Sequence, residues 1–259
     1  MSIQRIRLEH SYVGNARIAE PLVGDVMHRT LLIDFASPQR VLSTTDGMID
    51  SAAAVGISFS PTPMWFVNHL LGLEGNFDAL FRALALKRGK ASLLFTGADI
   101  NSLAIHSREA DGIAVTVLAT LGMESPTLRM ARGEGRYRES GTVNIILLTD
   151  RRLLPGAMTN AIVSVTEAKT EALRGKDFGT GRDRDGGLAD WAGTDGVIVV
   201  QGDGPDANWV GGRAKLGQLI GEAVYNAIGE ALQNQKNTAA ISNPPSIRPQ
   251  RRFVPQQVS

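Results

Sequence analysis

The run TVNIILLTD at residues 142–150 constrains this chain more than any other feature, because it is apolar on both faces of a strand except at Asn144. Successive side chains of a strand point to opposite faces, so such a run must be covered above and below. GVIVV at 196–200 makes the same demand. Each run is followed by a helical period. Pro155 suits the first position of a helix, where a missing N–H costs nothing, and that helix is expected to reach about Gly175. After the second run, Leu216, Leu219, Ile220, Ala223, Val224, Ala227, Ile228 and Ala231 form one apolar stripe.

The rest of the chain adds strands. IQRIRLEH, RTLLIDF and RVLST read as short strands, the last ending at the turn formers Asp46-Gly47. Residues 62–86 change to a helical period and predict two helices, with Asn76 capping the second. ASLLFTGADI and DGIAVTVLAT read as buried strands. Glu124–Ser140, with four arginines and no clean period, reads as a functional loop or irregular hairpin, and 175–187 as a surface loop. Adjacent strands beside strand–helix–strand spacing give an α/β class: one domain over 1–233, a mixed sheet covered by helices. Residues 234–259 lack a periodic apolar face and are expected to form a disordered tail.

Composition removes whole classes of chemistry. With no cysteine there is no disulfide, thiolate metal site or cysteine nucleophile. The four histidines, His10, His28, His69 and His106, lack metal-ligand spacing, so no metal is expected. A net charge of +1 gives no field to gather nucleic acid or a membrane surface. No stretch approaches the roughly 20 apolar residues of a membrane span, and no leader-like segment opens the chain, so the expected location is the cytoplasm.

Three segments, GTVNIILLTDRRLLPGAMTNAIVSVTEAKTEAL from Gly141, AGTDGVIVV from Ala192 and GGRAKLGQLIGEAVYNAI from Gly211, together resemble the adenosylcobinamide amidohydrolases. Fainter similarity runs upstream through RVLSTTDG and LLFTGADINSLAI, so that about residues 30–232 are covered. The resemblance implies hydrolysis of the amide joining a corrinoid propionate to aminopropanol during corrinoid salvage, on a small-molecule substrate and without a cofactor. Three departures stand out: Trp191 ahead of Gly193-Thr194-Asp195, Arg213-Ala214 where the resemblance implies His-Thr, and Glu124-Ser125-Pro126 where it implies a segment containing Asn. A guanidinium does not deprotonate, so Arg213 cannot replace a histidine base.

Amide hydrolysis needs an attacking water, a group to take its proton, and donors for the oxyanion. Glu167, in the matched VTEAKTEAL segment, is the expected general base; Asn144 and Thr194 are expected oxyanion donors, and Asp195 an orienting group. Each also has a bland reading: Glu167 as a solvated helix residue, Asn144 as a satisfied core amide, Asp195 as a turn cap. At ~100° per residue Lys169 points about 200° away from Glu167, so one of the two at most faces a shared pocket. Gly211, Gly212, Arg213 and Lys215, at a helix start, are expected to bind a substrate anion or carboxamide, with Trp191 shaping the pocket. A threonine exposed by self-cleavage at Gly141-Thr142 or Gly193-Thr194 is a minor alternative. Two further readings stay open: a non-catalytic protein holding a corrinoid or another amide-bearing macrocycle, and a hydrolase of an unrelated amide. The oligomeric state also stays open, a homo-oligomer included.

Overall fold

Alternation of apolar runs with turn formers lays out thirteen strands in the computed structural model, which describes residues 4–23, 25–60, 74–122, 142–174 and 195–242. The strands are β1 (Gln4–Ile6), β2 (Val13–Ala19), β3 (Leu22–Val23), β4 (Val26–Met27), β5 (Arg29–Ser43), β6 (Gly47–Phe59), β7 (Ala91–Thr96), β8 (Ala104–Ala110), β9 (Ile113–Gly122), β10 (Thr142–Thr149), β11 (Arg152–Leu153), β12 (Gly196–Val200) and β13 (Asp206–Ala207). The helices are α1 (Glu74–Ala83), α2 (Pro155–Arg174) and α3 (Lys215–Ser242).

Nine of the strands make one mixed, curled sheet, β1-β2-β5-β12-β10-β9-β8, with β6 on the other side of β5 and β7 on β6. The curl starts in β5. RTLLIDF and RVLST, expected as two strands, form one 15-residue strand interrupted by a register shift between Asp34 and Val41. Its first half pairs with β2 and its second half with β12, while β6 follows it on the opposite edge. Gly47, at φ +73, supplies the left-handed residue that closes the expected turn into β6.

β10 and β12 run parallel, joined in sequence through α2, and both are buried along their whole length. One face carries Val143, Ile145, Leu147, Val197 and Val199 against the apolar stripes of α2 and α3. The other carries Ile146, Leu148, Ile198 and Val200, packed with Leu118, Leu94 and Ile100 inside the curl. Both faces of the two defining runs are therefore covered, as their sequence demands.

Three details differ from expectation. Asn76 lies inside α1, which begins at Glu74, so it is not the cap. β6, GMIDSAAAVGISF, was not anticipated as a strand, because its alanines give no alternation to read. α3 continues to Ser242, past Asn234: Leu232 is buried and the Asn234 Nδ2 group donates to the Leu103 carbonyl at 3.2 Å, which ties the helix to the segment just before β8. The helix expected before α1 and the Glu124–Ser140 and 175–187 loops lie outside the described residues, as do Trp191 and Thr194.

Candidate functional site

Asp195 is the first described residue before β12, and its carboxylate joins three elements. One oxygen accepts the Val143 N–H of β10 at 3.1 Å. The other is paired with the Lys169 ammonium, which reaches it from α2. The lysine side chain is 6% exposed and the aspartate 12%, so this is a buried ion pair. Desolvating such a pair costs about as much as its attraction returns, which makes it a poor way to gain stability and a good reason to look for function.

On the other face of β10, Asn144 is 2% exposed and donates from Nδ2 to Thr142 Oγ1 at 3.2 Å. Across the ladder Asn144 lies opposite Thr120 of β9 on one side and Gly196 of β12 on the other. The Thr120 hydroxyl is fully buried and has no hydrogen-bond partner among the described residues. Gly196 is required where it stands: a Cβ would sit 2.6 Å from Asn144 Oδ1 and 2.8 Å from a Leu94 methyl. Thr44, from the turn after β5, closes the edge by accepting the Val197 N–H at 3.0 Å and donating its own N–H to the Val197 carbonyl. At the amino end of β10 and β12, therefore, the Lys169–Asp195 pair lies on the helix-covered face and Asn144, Thr142 and Thr120 lie on the face inside the curl.

Glu167 is not in that group. It is exposed on the far side of α2, in an open groove of about 570 Å³ lined by Thr166, Glu167, Thr170, Glu171 and Arg174, with Tyr225 of α3. The 200° rotation holds: of Glu167 and Lys169, only the lysine turns inward. This corrects the expectation of Glu167 as base at the Asn144–Asp195 centre, since α2 stands between them.

Gly211, Gly212, Arg213 and Lys215 lie at the other end of the sheet and are exposed. Lys215 pairs with Asp111, in the β8–β9 turn, at 3.4 Å. From Asn144 to Thr149 the strand alone spans roughly 17 Å, so the expectation of one cleft containing Glu167, Asn144, Asp195 and Lys215 is overturned. Lys169 is the residue that sequence reasoning missed as a site group; its only signal was its place on the apolar stripe with Ala161, Val165 and Ala172.

The carboxyl end of the same strands has a polar cluster of its own. His10, 7% exposed, bonds from Nε2 to Thr116 Oγ1 at 3.0 Å, and Thr116 meets Ser107 at 2.8 Å. Burial pushes the His10 imidazole below its ordinary 6.5, with Asp150 and Asp203 pulling weakly the other way. Among the described residues no group of three or more His, Asp or Glu side chains could hold a metal ion, and no helix is long and apolar enough to cross a membrane.

The family profile described as adenosylcobinamide amidohydrolase matches residues 10–240. An uncharacterized protein of Methanocaldococcus jannaschii is 32% identical over 225 residues, covering 80% of this chain and 87% of that protein. A crystal structure of a Pyrococcus horikoshii OT3 protein aligns over 90% of this chain and 83% of its own, at 12% identity and a TM-score of 0.38.

Proposed function

Because the chain belongs to the adenosylcobinamide amidohydrolase family, we propose that it hydrolyses the amide between a corrinoid propionate and aminopropanol, at the amino end of β10 and β12. The observation that carries this placement is the buried Lys169–Asp195 pair. Thr194, which precedes Asp195 in the chain, belongs to the same proposal.

In this reading water attacks the amide carbon, the Asp195 carboxylate takes its proton, and that proton goes to the departing nitrogen as the C–N bond breaks. The products are a corrinoid carboxylate and aminopropanol. Lys169 has N–H groups beyond the one given to Asp195, and these are the donors for the developing oxyanion. The Val143 N–H holds the carboxylate in place. Arg213, the departure from the family pattern, is at the opposite end of the sheet and touches none of these groups. We place the reaction in the cytoplasm, in corrinoid salvage.

The test is incubation of the purified protein with adenosylcobinamide and detection of adenosylcobyric acid by mass spectrometry. Product formation that disappears in Asp195→Asn is expected. No product, under conditions where another member of the family turns over, refutes the reaction; full activity of Asp195→Asn refutes only the centre.

A further inference from the structure

Resting on that reading, we propose that the groove between α2 and α3 is the docking subsite for the carboxamide-bearing edge of the macrocycle, and that it selects substrates wide enough to reach around α2. Its volume of about 570 Å³ lies within the range of small-molecule sites and is room for one edge of a corrinoid. Its chemistry is mixed, with acceptors along α2 and the Arg174 guanidinium as a donor. Glu167 and Glu171 present carboxylates on neighbouring turns, and Thr170 adds a hydroxyl. The Thr166 hydroxyl proton is already given to the Ile162 carbonyl at 2.8 Å, so that oxygen faces the groove with acceptor capacity. Tyr225 supplies an aromatic wall. A ligand edge carrying primary amides, each of which donates through N–H and accepts through its carbonyl, is the complement of this arrangement.

The separation from the reaction centre is informative in itself. Glu167 and Lys169 belong to one turn of α2 but open onto different sides, and a helix with its side chains is roughly 10–12 Å across. A simple short amide cannot occupy both places. A macrocycle carrying several amide arms can seat one edge in the groove while presenting another arm at the end of α2, so binding energy gained far from the scissile bond positions it.

Corrinoids absorb visible light, so cobinamide binding can be titrated directly on the full chain. Thr170→Trp fills the groove and Glu171→Gln removes an acceptor while keeping the helix surface intact. The expected result is a dissociation constant raised at least tenfold by Thr170→Trp and severalfold by Glu171→Gln, at unchanged melting temperature, with KM rising and kcat retained. Unchanged binding and KM in both variants overturn the subsite while leaving the hydrolysis standing. Groove-dependent binding by a wild-type protein that never forms product overturns the hydrolysis and leaves the subsite. Should Thr170→Trp fail to fold, Glu171→Gln and Tyr225→Ala decide the question, and wild-type binding in both refutes it.

Discussion

At the amino end of β10 and β12 the charges are buried and face each other, Lys169 with Asp195, whereas at the carboxyl end the ion pairs Lys215–Asp111 and Arg152–Asp206 stand in solvent. The carboxyl end is held by backbone instead. Gly202 and Gly204 pack so tightly on the Asp150 turn that a Cβ on either would lie within 2.5 Å of its backbone. One end buries a charge pair; the other buries the His10–Thr116–Ser107 cluster and uses glycine and turns to finish the sheet. The difference teaches where to look for chemistry, because burying a charge pair has no advantage for folding alone.

Breaking the buried pair tests this most severely. Lys169→Met leaves the Asp195 carboxylate sheltered and unpaired, and is expected to cost about 3–5 kcal/mol, seen as a melting temperature lowered by roughly 10 °C. Lys169→Met with Asp195→Leu should regain most of that stability yet remain without turnover; recovered activity in the double variant would deny the pair a chemical role. At the other end, Gly202→Ala pushes a methyl against Asp150 and Thr149 backbone and should cost roughly 1–3 kcal/mol in denaturant titrations, with turnover per folded molecule unchanged.

A smaller effect separates the ends by pH. The folded pKa of His10 lies below its unfolded value, so the stability its burial permits is present above 6.5 and lost as pH falls through the folded pKa. Thermal melts between pH 7.5 and 5 should show this decline, and His10→Gln should flatten it in part; His28, also lowered by burial, supplies the remainder. Smallest of all, Lys215→Ala removes a pair whose side chains are 45% and 71% exposed, and its melting curve should move by less than the equivalent of about 1 kcal/mol.

The parts of the fold legible in advance were those whose side chains speak for both faces at once. TVNIILLTD and GVIVV had to be buried, and the α3 stripe had to cover them. β6 stayed hidden because alanine and glycine are small enough for either face, and its strand state comes from pairing with β5 and β7 across the sheet. Asn144 was legible as a lone amide in an apolar run. Lys169 was not, since a lysine on an apolar stripe is buried only if a partner waits for it, and Asp195 lies 26 residues further along the chain. Helical geometry showed that Glu167 and Lys169 must diverge; it carried no information on which one faced inward.

β5 has one more consequence, for how the chain comes to be assembled. Its second half receives β12, through pairs such as Val41 with Val200, so the amino-terminal hairpin completes its ladder only with strands from the far side of the molecule. Closing so long a stretch of chain is slow compared with forming a helix. During synthesis the Val41 edge therefore waits, unsatisfied, until residue 200 has left the ribosome, and that interval is when this protein is most exposed to mispairing with another copy of itself.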